Sequence, residues 1–415
     1  IPRFDLILKS EKKVSERKSL KKIALFFFSE KNKSKYLVDS SENLEEYEKR
    51  LYEFQKWFFD YASLNKDIEL IIKTKTSASE LNQISKYLKN LGYKNSFNNI
   101  KVESKKTSIE VIEESDIIFT LVLTPSLENG SYDVSNVDDV VSDILKYGWD
   151  KDLSNKSLVI GCTTNPGDCD FFQDRLSETG ISVFYNPEFI AQGSIIKDLQ
   201  NADMVLLGGD GKHKGNLVNI YKKIQYGYRE PSIHLMSTKA AEITKIAVNC
   251  FLTTKISYAN MIGQVLAQSN LYDEIETVLS SIGSDSRIGH KYMNFGFGFG
   301  GPCFPRDNRA FASYAQKVGV EHNIGTTTDN FNKAHLLFLK DYFINDNSDD
   351  LPFWFDYIAY KPGTDILTES QQYQLCLEFL DLGYKVYVSD DLLKDKCDAR
   401  ILFGVPDEKV YRIDL

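Results

Sequence analysis

Metal-ligand spacing is missing from this chain. Its six cysteines, at positions 162, 169, 250, 303, 376 and 397, include no C-x-x-C pair, so neither a zinc site nor a disulfide framework is signalled. An excess of positive charge is missing too. The formal net charge of -9 argues against a general nucleic-acid-binding surface, although Lys and Arg are numerous enough to build a local phosphate pocket. No apolar run reaches bilayer-spanning length and no signal-peptide pattern is legible, so no membrane span is expected and the cytoplasm is the expected compartment. A chain that opens on Ile1 rather than methionine reads as a fragment or a trimmed form. What remains is 42% hydrophobic and 26% charged over 415 residues, the composition of a globular protein with room for two or three domains.

Against that background residues 294–307, NFGFGFGGPCFPRD, stand out. Glycine and phenylalanine alternate up to Gly300 and Gly301, and a cysteine follows. Glycines let backbone approach a ligand closely and adopt positive φ. Pro305 and the run from 307 to 317 read as the first turn and body of a helix. That places Cys303 at or just before a helix N-terminus, where the macrodipole favours a thiolate. Two readings stand side by side: a glycine-rich turn with an incidental cysteine, or a reactive thiol set out from the core.

Short apolar runs alternate with amphipathic stretches in the first half. Residues 1–20 read as a polar, lysine-rich lead. Residues 22–28 (KIALFFF), 68–72 (IELII), 100–102 and 116–123 (DIIFTLVL) read as strands; residues 43–64, 78–91 and 109–114 read as helices. Alternating strands and helices imply an α/β fold with a parallel sheet. A dinucleotide-binding sheet needs glycines after its first strand, so that a pyrophosphate can reach the helix N-terminus. Here the strands are followed by SEKNKSK and KTKTSAS, which contain none. Residues 239–270 read as one long helix, apolar on more than one side and therefore buried or at an interface. On it Lys245 and Asn249 share a face. A lone helix lysine is usually a solvated charge, but its pairing with Asn249 inside an apolar run points to a function.

The glycine-cysteine loop, with Arg287-Ile-Gly-His-Lys291 upstream, resembles the catalytic-cysteine loop of the UDP-glucose/GDP-mannose dehydrogenase family. From about residue 115 the resemblance continues through SDIIFTLVLTP, SLVIGCTTNPGD, FYNPEFIAQGSIIKDLQNADMVLLGGD, AAEITKIAVNCF and FWFDYIAYKPGTDILTES. It implies a Rossmann-like N-terminal domain (1–210, with 1–115 divergent), a central long-helix domain (211–330) and a smaller α/β UDP-binding-like domain (331–415, shortened). It implies a nucleotide-sugar dehydrogenase that oxidises a sugar alcohol twice with NAD, without a metal, and works as a homodimer joined through the 239–270 helix.

The same resemblance assigns roles. Cys303 is the nucleophile, and Lys245 and Asn249 stabilise the oxyanion. Asp307, Glu188 and Thr163 arrange water and act as general base. Phe189, Ile190, Phe299, Gly300, Gly301 and Lys361 hold the UDP-sugar, and Arg287 reaches it across the dimer. Thr124, Pro125 and Arg306 lie beside NAD, although Thr124-Pro125 reads equally as a plain strand exit. Some positions depart from the pattern: Gln192 replaces a glutamate, Thr368 an arginine, and Asn165-Pro166 is shifted by one. Lys255 does not match the catalytic lysine. Residues 1–115 also resemble, through short motifs, the C-terminal half of a GT-B glycosyltransferase. The missing glycines therefore leave two alternatives to an active enzyme: a nucleotide-sugar-binding pseudoenzyme, or a glycosyltransferase–dehydrogenase mosaic.

Overall fold

The computed structural model describes residues 108–122, 124–187, 189, 203–224 and 232–415, together with the backbone of four earlier strands. In chain order the first part comprises β1 (Phe4–Ser10), β2 (Lys21–Phe27), β3 (Ile68–Thr74), β4 (Ile100–Glu103), α1 (Ser108–Glu113), β5 (Ile117–Leu121), α2 (Ser135–Gly148) and β6 (Ser157–Ile160). It continues with α3 (Asp168–Arg175), β7 (Ser182–Tyr185), β8 (Val205–Gly208), α4 (Lys214–Ile224), β9 (Ile233–Met236) and the 31-residue α5 (Thr238–Gln268). The helices expected at 43–64 and 78–91 lie outside the described residues.

The strands form one sheet in the order β4-β3-β2-β1-β5-β6-β7-β8-β9. Strands β2, β3 and β4 are mutually parallel, as are β5, β6 and β7. This is the doubly wound plan, with strand order running outward in both directions from the centre. At that centre sits β1, antiparallel to both β2 and β5. Residues 1–20 are therefore not simply a loose lead. The sequence signal was Phe4, Leu6, Ile7 and Leu8, a short apolar run masked by the lysines around it. Its consequence is geometric: β2 and β5, which would flank the switch point, stand two strand spacings apart, roughly 9.5 Å.

The core of this part follows from burial on both faces. All four residues of β6 and of β8 are buried, as expected for central strands covered by helices. Val137, Val141 and Ile144 form the buried stripe of α2 at helical spacing and pack with Leu158, Ile160, Phe172 and Tyr185. Ala241 brings α5 onto the same cluster.

The chain divides into two compact units inside α5, with the boundary between Lys245 and Ile246. The second unit holds Ile246–Leu415 with Glu128–Ser131. Its elements are α6 (Ile275–Gly283), α7 (Phe304–Lys317), α8 (Ile324–Asp346), β10 (Phe353–Phe355), α9 (Gln371–Asp381), β11 (Val386–Val388), β12 (Leu402–Phe403) and β13 (Tyr411–Arg412). The strands form a parallel four-stranded sheet, β12-β11-β10-β13. Residue 330 lies within α8, whose Leu336, Leu339 and Phe343 belong to the same core as β10, α9 and β11. Among the described residues no helix is long and apolar enough to cross a membrane.

Phe353 and Phe379 stack in that core with ring centroids 3.7 Å apart. Truncating Phe379 to alanine should cost about 3–5 kcal/mol. Urea unfolding followed by Trp354 fluorescence checks this; an unchanged midpoint would show that the C-terminal sheet does not rest on this pair.

Candidate active site

Cys303 is the N-cap residue of α7 and is exposed. Its carbonyl accepts the Asp307 N–H at 2.9 Å, which starts the helix. Pro305 is in the first turn, where its missing N–H costs nothing. Asp307 is 2% exposed and accepts a hydrogen bond from the Asn249 side-chain amide. A second cysteine, Cys250, donates its S–H to the Asp307 carbonyl at 3.5 Å. Burial, aided by the Asp307 charge, pushes the Cys250 thiol up to about 12. Of the two sulfurs near Asp307, the exposed one at the helix terminus is therefore the one suited to nucleophilic work.

Three of the four loop glycines upstream of Cys303, Gly298, Gly300 and Gly301, sit where the protein's own packing leaves no room for a Cβ, whereas one at Gly296 would meet nothing. A Cβ at Gly300 would collide with the Glu369 carbonyl, one at Gly301 with the Tyr360 ring, and one at Gly298 with the Asn332 and Gln371 side chains. Gly301 also has φ of +81°. The loop is held by side chains that the sequence did not single out. Gly298 N–H donates to Gln371 at 2.5 Å, and Phe299 exchanges two hydrogen bonds with the Asn332 amide, at 2.9 and 2.8 Å. Gly296 N–H donates to Asn260 at 3.0 Å. Glu369 is held at φ +50°, and its carboxylate takes both prongs of Arg309 at 2.8 and 2.7 Å. Arg309 also reaches Asp329 at 3.1 Å. Nothing in local sequence marks Asn332 or Gln371, because their partners are set by tertiary approach.

His335 anchors the start of the same loop. It is fully buried, stacked between Phe331 and Phe338, with Nε2 2.7 Å from the Gly296 carbonyl and Nδ1 2.7 Å from the Gln264 amide nitrogen. That pattern fits a neutral ring with the proton on Nε2.

In the first unit, Lys245 Nζ lies 4.7 Å from the centroid of the Phe189 ring, a cation–π distance. Glu188 and Ile190 lie outside the described residues. Thr163 is half-buried on the turn between β6 and α3; its neighbour Thr164 is fully buried and donates to Glu242 at 2.8 Å. Thr124 is buried just beyond β5, and Pro125 is exposed with its carbonyl accepting Asp133 N–H at 2.7 Å. Both turns leave the C-terminal ends of parallel strands, the edge where doubly wound sheets bind ligands. Lys245 and Asn249 sit one turn apart on α5.

The remaining residues are more scattered. Arg287 is 87% exposed, its guanidinium forked onto Asp285 at 3.0 and 2.6 Å. Lys361 is exposed on the loop after β10, and Arg306 reaches the Pro302 carbonyl at 3.4 Å. The structure thus brings together Cys303, Asp307 and Asn249 around the start of α7, and Lys245 with Phe189. Arg287 is held on the surface by its own acidic neighbour.

Comparison with known proteins bears on what such a site belongs to. The NAD binding domain of the UDP-glucose/GDP-mannose dehydrogenase family matches residues 66–225, and the family's central domain matches residues 239–334. The chain belongs to this family. The first match takes in β3, β4, α1 and β5, including segments on which the glycosyltransferase resemblance rested. The UDP-glucose 6-dehydrogenase of Pseudomonas aeruginosa is 30% identical over 306 residues, covering 70% of this chain and 65% of that protein. The UDP-glucose 6-dehydrogenase AglM of Haloferax volcanii is 29% identical over 310 residues, covering 71% and 70%. The chain thus spans about two-thirds of the length of these relatives. A UDP-glucose dehydrogenase structure from Pyrobaculum islandicum shares the fold, with a TM-score of 0.67 at 24% identity over 83% of this chain and 82% of that one.

Burial pushes the His335 imidazole down from 6.5 to about 4. As pH falls through this window the unfolded chain takes up the proton first. Stability is therefore full above 6.5 and drains by roughly 3 kcal/mol on the way to 4. Denaturation midpoints at pH 7 and 4.5 should differ more in the native chain than in His335→Gln; equal differences would contradict a buried neutral imidazole.

Proposed function

We propose that this chain is a nucleotide-sugar dehydrogenase that oxidises the C6 alcohol of a UDP-hexose to the acid in two NAD-dependent steps through a Cys303 thioester. The observation that carries the reading is the Asn249–Asp307 hydrogen bond one helical turn from the exposed Cys303. It joins three residue types that thioester chemistry needs: a sulfur nucleophile, an amide donor and a carboxylate.

NAD, when bound, accepts the hydride in each oxidation. The turns bearing Thr124, Pro125 and Thr163 fit such a group by their place at the C-terminal edge of β5 and β6, and the matched NAD binding domain supports it. The chain's own residues do the rest. The α7 dipole at the N-cap position favours the thiolate form of Cys303. Its sulfur bonds to the aldehyde carbon while the carbonyl oxygen takes up the proton that the thiol gave up, giving a thiohemiacetal. Lys245 and Asn249 donate to that oxygen. The second oxidation leaves a thioester; water, oriented by Asp307, Glu188 and Thr163, breaks the C–S bond, releasing the acid and restoring the thiol. Phe189, Ile190, Phe299, Gly300 and Gly301 would line the sugar, Lys361 would meet the phosphates, and Arg306 would lie beside the cofactor. On this reading residues 1–210 carry NAD, 211–330 the chemistry and 331–415 the nucleotide, in the cytoplasm.

One observation favours a second reading, a nucleotide-sugar-binding protein without turnover. Strand β1 runs antiparallel at the centre of the sheet, and no glycine follows β2 or β3 within the next seven residues of either strand's apolar run. The two readings separate in one experiment. With UDP-glucose and NAD, absorbance at the NADH band should rise, and Cys303→Ser should lose at least about 100-fold in rate. A flat trace from the native chain, with UDP-glucose binding intact by calorimetry, would remove the enzyme and leave the sugar site.

A homodimer through α5 fits the exposed apolar side chains of Phe251, Tyr258 and Val265, which recur every seven residues with Met261 beside them. Arg287 would then meet the site of the second copy. Sedimentation should give a dimer for the native chain and a monomer for the double variant Tyr258→Glu, Val265→Glu; a native monomer would contradict this arrangement.

A further inference from the structure

Glu242 is fully buried on the first turns of α5, yet it has no part in the chemistry set out above. Its carboxylate collects three donors from one turn. Oε1 accepts the Thr164 hydroxyl at 2.8 Å and the Cys169 N–H at 2.9 Å, and Oε2 accepts the Gly167 N–H at 2.6 Å. The reason lies in the sequence. The N-cap of α3 is Gly167, held at φ +101° and lacking any side chain to satisfy the first amides of its own helix. Glu242 supplies that cap from α5, and a negative charge there also suits the α3 dipole. A second tie runs in the opposite sense: Asp170, in the first turn of α3, accepts the Thr238 hydroxyl and pairs with Lys239 Nζ at 2.9 Å, at the N-terminus of α5. Glu242 thus caps the start of α3, and Asp170 ties the start of α3 to side chains at the start of α5. On its other side the turn is fixed by Asn165, whose amide and Tyr132 backbone exchange hydrogen bonds at 2.9 and 2.8 Å.

We infer that Glu242 is a positioning residue that locks the Thr163 turn to the stretch of α5 carrying Lys245. Thr163 is adjacent to Thr164, and Lys245 lies three residues beyond Glu242, one helical turn away. Two groups assigned to the chemistry thereby share a single buried fastening. Burial pushes the Glu242 carboxyl up, and the three hydrogen bonds work against that rise. Three donors converging on one buried carboxyl make a fastening that an apolar contact would not replace, because the donors would be left without acceptors. The inference rests on the dehydrogenase reading for its catalytic meaning, and on geometry alone for the fastening.

The test compares the native full-length chain with Glu242→Gln and Thr164→Val. A glutamine offers one oxygen and sets an NH2 against donors, so it cannot satisfy all three; Thr164→Val removes one donor and keeps the shape. Hydrogen exchange read by mass spectrometry on peptides spanning 163–169 should speed up about tenfold or more in Glu242→Gln and less in Thr164→Val, with other helices unaffected. In NADH assays with UDP-glucose, kcat should fall about tenfold while KM shifts less than about threefold, since the sugar is gripped elsewhere. Unchanged exchange in Glu242→Gln would overturn the fastening. Faster exchange with unchanged kcat would overturn the positioning role. If the native chain reduces no NAD, the dehydrogenase reading fails by itself, and the exchange rates still decide whether Glu242 holds the turn.

Discussion

A side-chain amide on α5 donates to a buried carboxylate on the first turn of α7, and the placement of the Cys303 sulfur follows from that contact. Asp307 is nearly inaccessible, and a carboxylate there is tolerable only with donors aimed at it. Once Asn249 supplies one, the start of α7 is fixed against α5, and Cys303, four residues before Asp307, is left at the exposed helix end. The glycine loop then enters from a defined direction. Arg309, two residues further along α7, clamps Glu369 and Asp329, which brings the 368–370 backbone against Gly300. Removing any of these partners leaves a charge or an amide buried without its complement.

The glycines illustrate how a correct reading of sequence can rest on an incomplete reason. Alternating Gly and Phe before Cys303 does signal close approach. The approach seen is of protein to protein: the Glu369 carbonyl, the Tyr360 ring, and the Asn332 and Gln371 amides occupy the space a Cβ would need. The helix start at Cys303 was legible because Pro305 and the amphipathic run after it are local signals. Lys245 and Asn249 were legible as neighbours because helical spacing is local too. Asn332, Gln371, His335 and Glu242 were not, since each acts on residues 33 to 78 positions away. Strand β1 was missed because a short apolar run among lysines resembles a polar lead, and only pairing on both sides makes it a strand.

That strand sets the tension in the molecule. Doubly wound sheets bind dinucleotides where strand order reverses, at the mouth between two diverging parallel strands. Here the place is filled by an antiparallel strand, and the sequence brings no glycine turn to it. The turns after β5 and β6 leave the C-terminal edge of the sheet, and the latter is tied to Glu242 by three hydrogen bonds.

Thiol reactivity tests the central claim most directly. Native protein is treated with iodoacetamide near neutral pH, and modification is followed at each cysteine by peptide mass spectrometry. Cys303 should react first among the six, Cys250 should stay unmodified while the chain is folded, and UDP-glucose should slow the Cys303 reaction. A Cys303 no faster than the buried cysteines, or one indifferent to UDP-glucose, would contradict the account.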